Sequence, residues 1–188
     1  MILNDYINYF RNIAVQHYRI GHQVAGETGD SRPGKMRFAS YNAADVISKS
    51  LRTKVGFPAL LTEVYDWDTK GSTVYDVKNN FIGGFMVLDH ANAKDYADEQ
   101  RALNTTEGIM HEILWRIWQD HYGPDKDRCQ TPFQHLDMNL SVIAVGPVFD
   151  NEFGWRVEFS FRPKLPIDFK KPIPTGIFLN LPPVTEMY

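Results

Sequence analysis

The sequence contains a single cysteine, Cys129, among 188 residues, so an intramolecular disulfide is impossible. Nothing else has the pattern of a small secreted scaffold held together by disulfides. The start of the chain lacks the basic residues and unbroken apolar run of a secretory signal, and no apolar stretch reaches the length of a membrane span. These absences predict a cytoplasmic protein with no membrane partner.

Positive charge is not in excess either. Lys and Arg total 20 against 23 Asp and Glu, which gives a formal net charge of −3. Such a chain has no general cationic field to attract nucleic acid, so we expect no direct nucleic-acid partner. With 43% hydrophobic and 23% charged residues, the composition is typical of a globular protein and not of a disordered one.

Motifs for metals, nucleotides and catalysis are missing as well. His111-Glu112 has no second histidine at the spacing of a helical zinc motif, and no phosphate-binding lysine follows Gly83-Gly84. Cys129, with His135 near it in sequence, carries no family signature of a catalytic cysteine. We therefore predict no catalytic residue, no cofactor and no metal, although a metal site built from ligands distant in sequence stays open.

Two of these features have a structural interpretation. Gly83-Gly84 predicts a bend or a bulge in a strand. The carboxylates between Asp89 and Glu99 do not have the spacing of a calcium loop, and they are typical of the solvated start of a helix.

Three segments have the periodicity of helices. Apolar residues recur every three or four positions over Leu3–Tyr18 and over Ala93–Tyr122, where Gly123-Pro124 ends the pattern. A shorter helix is predicted over Asn42–Lys54, with its first residue as the cap. The glycine-rich segment Gly21–Lys35 predicts a long exposed loop.

Other segments alternate as strands do. Ala59–Tyr65 and Val74–Leu88 predict a hairpin around a turn at Asp68–Ser72, with the second segment forming one long strand or two short ones around Gly83-Gly84. Leu136–Ala144 and Phe153–Phe161 predict a second pair, each strand with one apolar, inward face. The order of elements predicts an α+β fold in which an antiparallel sheet of four to five strands has the long helix and the N-terminal helices packed on one face.

The last 26 residues differ from the rest of the chain. They hold six of the 11 prolines together with large apolar residues, which excludes regular structure and is unlike a flexible linker. We therefore predict one α+β domain over residues 1–162 and an extended, proline-rich C-terminal arm over residues 163–188. The arm would lie against its own domain or against a neighbouring subunit.

Candidate interaction residues lie on the long helix, on the last strand and in the arm. Most of the four tryptophans are expected in the core, Trp118 among them, but Trp115 drifts to the edge of the helix, where exposure would mark a subunit contact. The polar face of the last strand would meet water or a partner. The full set is Trp115, Arg156, Glu158, Arg162, Phe169, Ile173, Ile177, Phe178 and Leu179. These residues predict a homo-oligomer that also binds other protein subunits.

Several segments resemble the tail-completion or tail-terminator proteins of tailed bacteriophages and prophages. The resemblance spans residues 42–162 and is carried by Phe57–Leu61, by Gly84–Leu88, and by Val145–Val148 with Gly154–Val157. It implies a non-enzymatic subunit that forms a ring at the end of the tail tube, or joins tail to head, through sheet edges and mobile loops. No catalytic residues carry over, and the location would be the virion.

Two other functions stay open from the residues alone. One is a small-molecule-binding protein or enzyme with a pocket between the sheet and the long helix, using His111, His135, Tyr75 or Glu158. The other is a monomeric adaptor that binds another protein. A deep pocket with paired titratable groups would favour the first, whereas an open sheet and an unpacked arm would favour assembly.

Overall fold

The computed structural model describes residues 3–22, 36–42, 55–70, 78–92, 94–124, 131–137, 139–148 and 151–163. The predicted helix Asn42–Lys54 lies outside these residues apart from Asn42, and so does most of the predicted loop Gly21–Lys35. The C-terminal arm after Pro163 is also outside them. Five of the candidate interaction residues fall there: Phe169, Ile173, Ile177, Phe178 and Leu179.

The described residues form two helices and seven strands, which confirms the α+β class. The helices are α1 (Leu3–Gln16) and α2 (Tyr96–Tyr122). The strands are β1 (Met36–Tyr41), β2 (Val55–Glu63), β3 (Asp66–Lys70), β4 (Lys78–His90), β5 (Phe133–Leu136), β6 (Ser141–Val148) and β7 (Glu152–Pro163).

All seven strands belong to one sheet built around the antiparallel pair β4 and β7. This pair stays in register from Phe81 opposite Phe161 to His90 opposite Glu152. The free edge of β4 pairs with two shorter strands, β2 and β3. The free edge of β7 likewise pairs with β6 and β5. β1 joins β2 in parallel. The prediction of four to five antiparallel strands is therefore wrong in number and in one pairing.

Local features of the sequence explain why too few strands were predicted. The predicted turn Asp68–Ser72 begins inside β3, and the predicted strand Leu136–Ala144 is divided between β5 and β6. Between these two, the Asp137 carboxylate accepts the N–H of Asn139 at 2.9 Å, and this turn ends β5. β6 is largely exposed, so the inward face predicted there is wrong. The sequence did not predict β1, because its six residues do not alternate regularly between apolar and polar.

The main core lies between the sheet and the two helices, which cover the same face. Tyr6 and Phe10 of α1, and Ile113 of α2, are fully buried in it. Tyr6 stacks on Phe161 of β7 with ring centroids 5.5 Å apart. Gly83 leaves room for the Tyr6 hydroxyl, since a β-carbon there would lie 2.5 Å from it. No bulge forms at this glycine in the pairing with β7, because β4 and β7 pair through it without a register shift.

The opposite face of the sheet carries a smaller apolar cluster. Its buried members come from β1, β2 and β4: Ala39, Tyr41, Val55, Ala59, Leu61, Met86 and Leu88. Val145 and Val148 of β6 pack partly against them, so the sheet curls over this side. The face that the sequence predicted to be polar along β7 therefore borders an apolar cluster.

The second helix begins at its cap. The Asp95 carboxylate accepts the N–H groups of Ala97 and Asp98 at 3.1 and 3.2 Å, and Gly123 follows the last residue of α2. The helix predicted over Ala93–Tyr122 is confirmed from Tyr96 onwards. Its buried face includes Ile113 and Ile117, which fixes the direction in which its other side points.

Candidate functional site

The outer face of α2 carries large aromatic side chains that are exposed. His111, Trp115, Trp118 and Tyr122 follow one another at spacings of four, three and four, and we call them the aromatic stripe. Trp115 is 66% exposed, and Trp118 and Tyr122 are each 43% exposed. At 100° per residue the stripe lies directly opposite the buried face of the helix.

Contacts at the end of α2 hold the stripe in place. The Tyr122 hydroxyl donates to the carbonyl of Leu136 in β5 at 2.5 Å. The Trp118 and Tyr122 rings have centroids 6.5 Å apart, and the His121 ring meets Tyr122 edge-on at 4.4 Å. The exposed aromatic side chains therefore stand on a support that is itself packed against the sheet.

A buried carboxylate ties α2 to α1 on the core side of the helix. Asp120 is 7% exposed and accepts the Tyr9 hydroxyl at 3.1 Å. Nε of Arg116 donates to both Asp120 oxygens at 2.9 Å, and the same guanidinium donates to Gln16 at 3.1 Å. The charge of Asp120 is thus neutralised within the chain while the two helices are joined.

A second ion pair joins α2 to the segment after α1. Glu112 pairs with Arg19, and Nε2 of His17 lies 2.8 Å from its other oxygen. The hydrogen bond from Arg19 lowers the pKa of Glu112 below its ordinary value. Burial lowers the pKa of His17 below its ordinary value of 6.5, despite the nearby carboxylate of Glu112.

The face of the sheet away from the helices carries a polar cluster centred on Arg156. Its guanidinium donates to both oxygens of Glu63, at 2.8 Å for Nη2, and to Glu158 at 2.9 Å. The Tyr41 hydroxyl donates to Glu63 at 2.8 Å. The hydrogen bond to Glu63 raises the pKa of Arg156, and burial together with the Glu63 charge raises the pKa of Tyr41. Arg156 and Glu158, both predicted as interaction residues, are therefore paired within the chain.

The carboxylates before and within the first turn of α2 belong to a helix start, as predicted. Arg101 donates to Asp89 at 2.9 Å and to the His90 carbonyl at 2.7 Å, and it also pairs with Asp98. Asp98 accepts the N–H of Asn92 at 2.7 Å, and the hydrogen bond from Arg101 lowers its pKa. This network fastens α2 to the end of β4.

The residues suggested for a pocket do not converge. His111 lies in the aromatic stripe on the outer face of α2, whereas Glu158 lies on the sheet face away from the helices. His135 is exposed on β5, where it is in register with the exposed Arg162 of β7. Tyr75 lies outside the described residues. The space between α2 and the sheet is filled by the main apolar core.

Two further observations concern the described part of the chain. Within it, no group of three or more His, Cys, Asp or Glu could hold a metal ion, and Cys129 lies outside it. None of its helices combines the length and apolar character needed to cross a membrane.

The prediction that most tryptophans lie in the core is wrong. Trp67, Trp115 and Trp118 are exposed, and only Trp155 is half-buried, where its indole N–H donates to the Leu103 carbonyl at 3.1 Å. Sequence reasoning missed Trp118 and Tyr122 as surface residues. Trp118 lies three positions after Trp115, and Tyr122 four positions after Trp118. This helical spacing is the sequence signal that would have placed both on the same face as Trp115.

No family model, no curated protein and no solved structure matches this chain. The described residues define an α+β fold whose helix-covered sheet presents an aromatic stripe on the outside of its longest helix. A function for the chain must therefore be argued from this geometry.

Proposed function

We propose that this chain is a non-enzymatic assembly subunit that self-associates and binds other protein subunits, of the kind that completes a phage tail or joins tail to head. The aromatic stripe is the observation that carries this proposal. It presents Trp115, Trp118 and Tyr122 together on one rigid surface.

Exposing large aromatic side chains to water is unfavourable, and burying them in a protein contact is favourable. Trp and Tyr each bury roughly 150–250 Å² on full desolvation and dominate the centres of protein interfaces. Trp115, Trp118 and Tyr122 are already partly buried, so they supply part of the centre of an interface that buries about 800 Å² on each partner. Helix α2 already has its shape before binding, so ordering costs are small.

The charged clusters of the described residues support the same proposal. Glu112, Asp120 and Arg156 each pair with groups from other elements of the chain. Their geometry joins helices and strands to one another and does not converge on a ligand. Among the described residues, the stripe is a surface whose exposed aromatic side chains suit a protein partner.

The ends of the sheet offer a further means of association. β1 and β5 are the terminal strands of the described sheet, and an edge strand can pair with a strand from another copy. A contact between two different surfaces, repeated about an axis, closes into a ring. Such a ring fits the tail-completion role that the sequence resemblance implies.

Light scattering across a concentration series, at low and at moderate salt, tests the proposal. We expect the wild-type chain to increase in mass with concentration and Trp115→Ala/Trp118→Ala to stay monomeric. Trp67→Ala is the matched control, because Trp67 is 61% exposed but lies on β3, away from the stripe. It should associate as the wild type does.

A wild-type chain that remains monomeric at every concentration would contradict self-association. The stripe would then serve a different protein, as in a monomeric adaptor. Association that both tryptophan variants retain would instead show that copies meet through another surface.

A further inference from the structure

The C-terminal arm follows β7, which pairs with β5, and β5 accepts a hydrogen bond from Tyr122 of the aromatic stripe. β7 ends at Pro163, opposite Phe133 of β5, and two residues earlier Phe161 is opposite Leu136. The Leu136 carbonyl accepts the Tyr122 hydroxyl at the end of the stripe. The arm therefore begins two residues beyond Phe161, the β7 residue that lies opposite Leu136.

The sequence of the arm suits an aromatic surface. Residues 173–183 read IPTGIFLNLPP, and we call them the apolar block of the arm. Proline-rich segments favour the extended polyproline conformation and dock on grooves lined by Trp and Tyr, because the preformed helix loses little entropy on binding. Ile177, Phe178 and Leu179 add large apolar side chains to such a contact.

The spacing between β7 and the apolar block sets how far the block can reach. Residues 164–172 separate it from β7 and, if extended, span about 28 Å at 3.1 Å per residue. The stripe from His111 to Tyr122 is only about 16 Å long at 1.5 Å per residue. These nine residues are therefore long enough for the block to reach the stripe of a neighbouring copy.

We propose that the apolar block of each copy docks on the aromatic stripe of the next copy. This inference rests on the proposed function and names the contact through which copies associate. The two surfaces differ, so the contact is heterologous and propagates from copy to copy until a ring closes.

Mixing two full-length variants tests the contact directly. The stripe variant, Trp115→Ala/Trp118→Ala, keeps its arm, and the arm variant, Ile177→Ser/Phe178→Ser/Leu179→Ser, keeps its stripe. Each alone should be monomeric at concentrations where the wild type assembles, with its self-association constant weakened at least about thirtyfold. An equimolar mixture should form a heterodimer and nothing larger, because one intact arm meets one intact stripe and no second contact remains.

The mixture also controls for folding, since a misfolded variant cannot complement the other. In addition, Trp115→Phe/Trp118→Phe keeps aromatic faces on the stripe and should assemble. A wild type that assembles while the mixture stays monomeric, or while either variant alone assembles like the wild type, would overturn the arm-to-stripe contact and leave the assembly role intact. A wild type that never assembles would overturn the assembly role itself.

Discussion

His22 is a buried histidine that the fold uses in its neutral form. It is 7% exposed, packs against Phe38 with ring centroids 5.8 Å apart, and accepts the N–H of Arg37 on Nδ1 at 3.3 Å. Burial, and to a lesser extent the charge of Arg11, lowers the pKa of His22 below its ordinary value of 6.5. A protonated ring would lose this acceptor and would be repelled by the charge of Arg11.

The stability of the protein should therefore fall as the pH is lowered through about 6.5. The unfolded chain takes up the proton first, so the free energy of unfolding decreases by at most about 1.4 kcal/mol per pH unit for this histidine. The pKa of His17 is lowered in the same direction and adds to the effect.

Urea unfolding midpoints at pH 7.5 and 5.5 check this prediction. His22→Gln should lose less stability between the two pH values than the wild type, whereas His111→Gln, on the outer face of α2, should lose as much. Equal losses in all three proteins, or greater stability at pH 5.5, would contradict it.

At the scale of the element, α2 is held to α1 by a buried acceptor. Arg116 and the Tyr9 hydroxyl donate hydrogen bonds to the charged Asp120 carboxylate. Asp120→Asn removes this charge and should lower the free energy of unfolding by about 1 to 3 kcal/mol. Glu107→Gln is the control, because this exposed carboxylate lies 4.0 Å from His111 and an exposed pair contributes less than about 1 kcal/mol. Denaturant unfolding of both variants measures the difference. If both variants lower the free energy of unfolding by the same small amount, the hydrogen bonds of Asp120 do not stabilise the fold.

The same helix shows how far periodicity can be trusted. A run of apolar residues at spacings of three and four predicted its last residue, Tyr122, and placed its start three residues too early, at Ala93. Which aromatic residues faced inward was a separate question, because a tryptophan at the edge of the pattern fits either side. The 27 residues of α2 cover the sheet along one side only, so Trp118 turned outward.

At the scale of the whole molecule, the arm can be removed without cutting a strand only after Pro163, since β7 extends to that residue. A chain shortened after Pro163 should keep its circular dichroism and urea midpoint but lose self-association, because it lacks the apolar block. A chain shortened after Pro183 keeps the block and should associate normally. If the shorter chain associates as strongly as the full chain in light scattering, the arm has no part in assembly.

The sequence by itself determined the α+β class, the extents of α1, α2 and β7 to within three residues, and the role of Asp95 and Asp98 at a helix start. Each of these depends on residues within one or two turns, or within one strand, of each other. Periodicity, caps and turns act over that range, so they can be recognised without the partners of an element.

Only the tertiary structure decided which strands shared the edges of β4 and β7, that β1 ran parallel to β2, and that Arg156 was neutralised by Glu63. It also decided that Trp118 and Tyr122 stood with Trp115 on an outer face. Strand pairing, ion pairing and exposure depend on groups that are distant along the chain. Their energies are set by which surfaces meet, and a local pattern carries no information about that.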